Sequence, residues 1–288
     1  MKNISKKSKY IQKEGCLSKF SVLMSVYHKD KSEYLDLALG SIWTDQKLKP
    51  DEIILVQDGP LSNELYFIID KWKKELKDIL KTYPMHSNKG LACALNEGLK
   101  YCSYDYIARM DSDDISCKDR FFEQVKFLDK NINIHVVGSF IKEIDEDGVT
   151  IKNVVKYPLL HKDLVDFFIK RDPLAHPTAV FRRSFFDLAG IYNENVPLAE
   201  DTLLWCQGFV SGCKFANIPI IGVKFRRTKD FYERRSNWDK SVGLLKFRLK
   251  KINRIMKFGI MADVYAVLYF CMALLPSKIK KIAYQRYR

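Results

Sequence analysis

Tyr104-Asp-Tyr-Ile-Ala-Arg-Met-Asp-Ser-Asp-Asp-Ile115 passes from an apolar, aromatic-rich run into three carboxylates, Asp111, Asp113 and Asp114, inside four residues. The run 104–108 reads as a buried strand, so the acids fall where that strand ends. Carboxylates clustered at a strand's carboxyl edge repel one another and destabilise the fold unless positive charge neutralises them. An all-oxygen set suits a hard cation, Mg²⁺ or Mn²⁺, of the kind that bridges carboxylates to a diphosphate. The same residues also suit a solvated turn capping the next helix, because Ser and Asp are good N-caps. The stretch alone leaves both readings open.

The sequence on either side separates them. Upstream, 20–26 is a short apolar run suited to a buried strand, and 34–43 carries Leu35, Leu39 and Ile42 at helical spacing. Residues 52–57 predict a second strand, stopped by the turn signal Asp58-Gly59-Pro60. A Lys-rich helix is expected over 63–82, and Asn88-Lys89-Gly90 opens another that runs to about Cys102. Strand, helix, strand, helix, strand predicts an α/β fold, a mostly parallel sheet with helices on both faces. Such sheets bind ligands at the carboxyl ends of their strands. Tyr27-His28, Asp58-Gly59 and Asp111–Asp114 all fall there, and coincidence at three strand ends favours a site. Downstream, 136–144 and 149–155 predict a hairpin around Asp145-Glu-Asp-Gly148. A helix is expected over 161–170, a loop over 173–178, a helix opening at 199–205 with Glu200 and Asp201 in its first turn, and a strand over 214–226.

At 288 residues, 47% hydrophobic and 29% charged, the chain can form one large globular domain with C-terminal additions. Residues 1–18 are polar and basic without the apolar core of a secretory signal, so a loose leader is expected. Seven scattered cysteines without a Cys-x-x-Cys spacing argue against a zinc site or a disulfide framework and fit a reducing cytosol. The net charge of +14 is segregated: residues 224–288 hold 18 Lys/Arg against 4 Asp/Glu, and the remainder holds 31 of each sign. The basicity belongs to a C-terminal module.

Ser25-Val26-Tyr27, Gln57-Asp58-Gly59, Asn88-Lys89-Gly90, Asp111-Ser-Asp-Asp114, His176-Pro177-Thr178 and Glu200-Asp201-x-x-Leu204-Trp205 are each weak alone. In this order and spacing the chain resembles family 2 glycosyltransferases with the GT-A fold, of the kind that build bacterial surface polysaccharides. The resemblance covers about 19–228. It implies a Rossmann-like α/β domain over 19–228, between the leader (1–18) and a basic helical tail (229–288). It further implies that Asp58 bonds the base of a nucleotide-sugar donor, UDP-linked by expectation, in a pocket lined by Val26 and Tyr27. Asp113 would contact the ribose and the metal–diphosphate, with Asp114 or Asp111 completing a Mn²⁺ or Mg²⁺ site. That chemistry is sound, since a divalent cation stabilises charge developing on a leaving diphosphate.

Asn88 and Arg109 are further donor-side candidates, Arg109 either as a fork for phosphate or as a structural partner of the acids. Asp201 is the expected catalytic base that takes a proton from the acceptor hydroxyl in an inverting transfer, with Glu200 second. Both acids also suit a helix N-terminus through its dipole, and Asp58-Gly59 also suits a plain turn. His176 is expected on the acceptor side or as a buried structural histidine. The Gln-x-x-Arg-Trp motif of processive members has no match beyond the echo at Arg234-Arg-Ser-Asn-Trp238, so a single sugar per encounter is expected.

In the tail, 235–257 combines Leu245, Leu249, Ile252 and Met256 with Lys246, Lys250, Lys251, Arg254 and Lys257, an amphipathic cationic helix. The apolar run 258–275 is barely long enough to span a bilayer, and Asp263 makes spanning costlier. An in-plane helix on an anionic membrane surface is expected, although ordinary packing on the domain is the plain alternative. No nucleic-acid module accompanies the basic patch. The expected partners are therefore a nucleotide-sugar donor, a saccharide or polyprenyl-diphosphate-linked acceptor, and the inner face of the cell membrane, reached from the cytoplasm. A nucleotidyltransferase is disfavoured because no Gly-rich loop with a Lys follows the first strand. A nucleotide-sugar sensor or scaffold without turnover is the non-enzymatic alternative.

Overall fold

Glu52–Gln57 is buried at every position and forms strand β2, flanked by β1 (Phe20–Val26) and β3 (Leu80–Pro84). β4 (Tyr106–Arg109) lies on the far side of β1, and the order β3-β2-β1-β4 is parallel throughout. A strand covered on both faces is apolar at successive positions, and the two faces sort with period two. Phe20, Val22, Met24, Ile53 and Leu55 enter one core, and Leu23, Ile54 and Val56 enter the other. Helices α1 (Ser32–Trp43), α2 (Asn63–Leu76) and α4 (Arg120–Lys130) cover the first face, while α3 (Leu91–Leu99), α5 (His161–Phe168), α6 (Arg183–Ala189) and α7 (Glu200–Val210) cover the second. The structure is a computed structural model and describes residues 17–196, 199–228 and 238–275.

Beyond β4 the sheet changes direction. β8 (Val180–Arg182) is antiparallel to β4 and to β6 (Val136–Ile144). β6 then pairs in parallel along its whole length with β9 (Phe215–Arg226), and β7 (Thr150–Val155) folds back on β6 as the expected hairpin. The two-residue β5 (Ile115–Ser116) leaves the acidic loop and pairs with the end of β9, Ile115 opposite Lys224. The longest ladders are parallel and the antiparallel ones short, so the α/β expectation holds.

Some elements depart from the sequence reading. The helix expected over 63–82 stops at Leu76; Lys77 takes a positive φ of 49° and Leu80–Pro84 joins the sheet as its edge strand. The Lys-rich periodicity masks that change, and only the β-formers Thr82 and Tyr83 signal it. The sequence reading also passed over α4, β8 and α6. Gly98 of α3 sits where a Cβ would lie 2.3 Å from a Leu23 methyl, so α3 rests closely on β1. Most of the leader lies outside the described residues, but Leu17 packs on the core and Ser18 hydrogen-bonds Asp129 through Oγ (2.6 Å) and N (3.1 Å).

The tail is helical over Trp238–Phe247, π-helical over Arg248–Ile252, and helical again over Ile260–Ala273. Arg248 anchors it: its guanidinium donates to the Phe168 carbonyl and lies 4.6 Å from the Phe168 ring. Asp263 is met by Asn253 Nδ2 at 2.8 Å and by Arg254 at 3.1 Å. Among the described residues no helix is long and apolar enough to cross a membrane.

Candidate active site

β1 and β2 end level, Val26 opposite Gln57, and the loops that leave them are bonded together. The Asp58 amide donates to the Val26 carbonyl at 2.8 Å. The Asp58 carboxylate accepts from the backbone N–H of Lys89 (2.7 Å) and of Gly90 (2.9 Å), and Asn88 Nδ2 donates to its carbonyl (3.2 Å). Asp58 is thus a buried brace between β2 and the start of α3. Gly59 makes the brace sterically feasible. Its φ is +84°, and a Cβ there would lie 2.5 Å from the Asn88 nitrogen. Val26 itself is buried in the core. Tyr27 is half-buried, its ring edge-on to His28 at 5.5 Å.

Asp30 is a residue the sequence reading missed. Its carboxylate accepts from the Tyr27 amide (3.1 Å) and from the Ser112 hydroxyl (2.7 Å), which ties the loop after β1 to the acidic loop after β4.

In that acidic loop Asp111, Asp113 and Asp114 each offer an oxygen, all within 4.8 Å of one another. Asp114 is buried; its Oδ1 accepts from the Arg226 amide at 2.7 Å, and its Oδ2 has no hydrogen-bond partner. Burial, then the charges of Asp113 and Asp111, push its carboxyl well above the usual range, against the pull of Arg226. A buried carboxylate oxygen without a partner, facing two like charges, is an arrangement a divalent cation relieves. Three hard oxygen donors fit Mn²⁺ or Mg²⁺, and a capping turn does not account for Asp114: the side chain caps no helix.

Three buried guanidiniums frame the acids. Arg109, offered by the sequence either as a phosphate fork or as a structural partner, is the latter here. It is buried and donates to the Asp111 carboxylate and the Met110 carbonyl. Arg120 donates to the Arg109 carbonyl at 2.7 Å, and its pKa is pushed down to about 9 by burial. Arg226 donates from Nε to the Asp113 carbonyl (2.8 Å) and from one terminal nitrogen to the carbonyls of Asp145 (3.1 Å) and Glu146 (2.8 Å), and it lies 4.2 Å from the Tyr34 ring. Arg120 and Arg226 carried no sequence signal, because an arginine on a helix or at a strand end reads as a surface charge.

Glu200 and Asp201 open α7 as expected, both half-buried, with Asp201 Oδ1 accepting from the Thr202 amide at 2.7 Å. Tyr192 lies in the second core, under the same face as α7. Burial pushes the Tyr192 hydroxyl up; the Arg109 charge pulls the other way, and Asp201, Asp111 and Glu200 add to the rise. Tyr192 is itself buried, at 3% exposure. Its hydroxyl is 2.8 Å from His176 Nε2, and His176 is buried, edge-on to Trp205 at 6.0 Å. Burial and the Arg109 charge hold His176 well below its usual pKa, so it stays neutral. His176 is buried and supports Tyr192 from within. Tyr192 is pinned by Asn96, whose side chain accepts from its amide (3.0 Å) and donates to its carbonyl (2.8 Å).

A family profile described as "Glycosyl transferase family 2" matches residues 21–188. The chain belongs to that family. It is a glycosyltransferase, and the assignment agrees with the strand-end motifs and their geometry. The chain is 33% identical to the amylovoran biosynthesis glycosyltransferase AmsE of Erwinia amylovora, over 93% of this chain and 99% of that one. It is 31% identical to the UDP-Gal:alpha-D-GlcNAc-diphosphoundecaprenol beta-1,3-galactosyltransferase of Escherichia coli, over 93% and 96%. Among solved structures it is similar in fold to the mannosyltransferase PcManGT of Pyrobaculum calidifontis in complex with GDP-Man and Mn²⁺. The TM-score there is 0.62 at 17% identity, covering 93% of this chain and 75% of that one. This family 2 enzyme therefore carries an acidic D-x-D cluster, Asp111-Ser112-Asp113, at the carboxyl edge of a GT-A-like sheet.

Proposed function

We propose that this glycosyltransferase moves a single sugar, with inversion, from a UDP-linked donor onto a saccharide or a polyprenyl-diphosphate-linked acceptor. The reaction would serve bacterial polysaccharide assembly (O-antigen, capsule or exopolysaccharide) at the cytoplasmic face of the cell membrane. The observation that carries this reading is the cluster of Asp111, Asp113 and Asp114 oxygens within 4.8 Å of one another at the carboxyl edge of the sheet, with Asp114 Oδ2 buried and unpartnered. Relatives whose names specify an undecaprenyl-diphosphate acceptor and polysaccharide biosynthesis support the acceptor class.

Asp113 and Asp114, with Asp111, would hold Mn²⁺ or Mg²⁺. When bound, that ion supplies charge stabilisation to the departing nucleoside diphosphate. The chain's own groups do the rest. Tyr27, Asp58 and Asn88 border the nucleotide, and Arg109 fixes the Asp111 carboxylate. Asp201 accepts the acceptor hydroxyl's proton as that oxygen bonds to the anomeric carbon and the bond to the diphosphate breaks. Glu200 lies beside it, and His176 and Tyr192 stiffen the floor beneath.

The test is transfer from a panel of nucleotide sugars, with and without Mn²⁺, by the wild type and by Asp201→Asn. The variant is expected to bind donor normally and to lose transfer by about 10²- to 10⁴-fold. Full transfer by Asp201→Asn would remove the base assignment, and transfer indifferent to chelation would remove the metal site.

A further inference from the structure

The helix Ile260–Ala273 is packed the wrong way round for a protein interior. Its small residues Ala262, Ala266 and Ala273 are buried, while Ile260 (78% exposed), Val264 (43%), Val267 (44%) and Leu268 (54%) form an outward apolar stripe. A helix held by a core turns its large apolar residues inward. Beside the stripe is a groove of about 430 Å³ lined by Leu249, Arg254, Asp263, Val264, Val267 and Leu268. The preceding segment exposes Lys246, Lys250, Arg254 and Lys257 at intervals of three or four residues.

We infer that this stripe and its groove form a docking surface for an anionic phospholipid bilayer, with the helix lying in the plane of the membrane. The inference deepens the membrane-face placement proposed above and rests on it for the identity of the surface. Charge argues for the occupant, since residues 224–288 carry all of the net +14, and cations beside an apolar face match acidic headgroups above acyl chains. A second copy of the chain would bring the same cations together. Spanning is ruled out for this helix by length: 14 residues rise about 21 Å, against a hydrocarbon core of about 30 Å.

The experiment is flotation of the full chain with vesicles of phosphatidylcholine alone and of phosphatidylcholine with phosphatidylglycerol. The wild type is expected to float with the anionic vesicles and to be released by salt. Val264→Glu with Leu268→Glu should weaken partitioning by about tenfold or more, and Lys246→Glu with Lys250→Glu by about fivefold or more per lysine. Phe67→Glu, an exposed apolar site on α2, should change nothing. The apolar pair should also leave the melting temperature and transfer to a short soluble acceptor intact. Equal flotation of the Val264/Leu268 variant and the wild type overturns the inference. So does a wild-type dimer in solution that this pair dissolves, or a fall in melting temperature that shows the stripe packing within the fold. Vesicle binding lost with the stripe in a chain that transfers no sugar would sink the functional reading and leave the surface standing. Transfer by a chain that never floats would do the reverse.

Discussion

Replacing Arg226 should loosen the acidic loop without touching a carboxylate. Its guanidinium makes three hydrogen bonds to carbonyl oxygens at 2.8–3.1 Å and covers the Tyr34 ring at 4.2 Å. Hydrogen bonds from a charged group contribute about 1.5–3 kcal/mol each, and a partly desolvated cation–π contact about 1–2 kcal/mol. The cost of burying the guanidinium offsets much of that sum, and truncating a buried charged partner costs about 3–5 kcal/mol in practice. Arg226→Ala is therefore expected to lose about 3–5 kcal/mol in urea denaturation. Arg226→Lys keeps the charge but not the fork and should lose less, about 1–2 kcal/mol. The functional signature is a split. The Arg226 amide still donates to Asp114 in every variant, but the Asp113 carbonyl is released, so the Mn²⁺ concentration for half-maximal transfer should rise several-fold in Arg226→Lys while saturated kcat falls less. Stability within about 0.5 kcal/mol of wild type for Arg226→Ala, the range of an ordinary surface site, would refute the reasoning. So would an unchanged Mn²⁺ requirement in both variants.

Two further outcomes are expected. Because burial depresses the pKa of His176 in the folded chain, the unfolded chain alone takes its proton as pH falls below about 6.5. Stability should then drop by up to about 1.4 kcal/mol per pH unit. His176→Gln should flatten that slope in denaturation measured from pH 7 to pH 5, and identical slopes would show that His176 does not stay neutral. Gly59→Ala should cost about 2 kcal/mol or more, since it adds a clash 2.5 Å from Asn88 to a left-handed φ. Gly148→Ala, at φ +83° with open space around it, should cost only about 1 kcal/mol. Equal losses in chemical denaturation would mean that the close approach at Gly59 contributes nothing.

The parallel half of the fold was legible because it rests on local pattern: apolar runs ended by Asp-Gly or by clustered acids, with helical spacing between them. The acids and Asp58 lay at strand ends and the Glu200-Asp201 pair at a helix start, so position located them, while their roles came from the family resemblance. What was not legible depends on partners distant in sequence. Edge strand β3 was hidden because Lys81 continues the Lys-rich helical pattern until Leu80 pairs with Ile53. Arg109 could not be resolved between a ligand fork and a brace without its burial. Tyr192 and Asn96 are joined across 96 positions by two hydrogen bonds, and no local motif marks either. His176 had both readings open until the Tyr192 contact and the Trp205 edge settled its burial.

The acids also stand at the seam where the sheet turns from parallel to antiparallel pairing. The loop that carries them is tied at both sides of that seam. The Arg109 amide donates to Ala179 at 2.8 Å and the Met110 amide to Leu23 at 3.1 Å. On the other side β5 pairs Ser116 with Val223 and Ile115 with Lys224, which sets Arg226, two residues on, against Asp113 and Asp114. Carboxylates gathered this way carry their mutual repulsion before any ligand arrives, and the backbone ties supply the opposing energy. The acidic cluster is thus held in place by β4 and β9 together. Loss of the β9 tie should weaken cation binding even with all three carboxylates in place, whereas loss of one carboxylate should leave the loop's position unchanged.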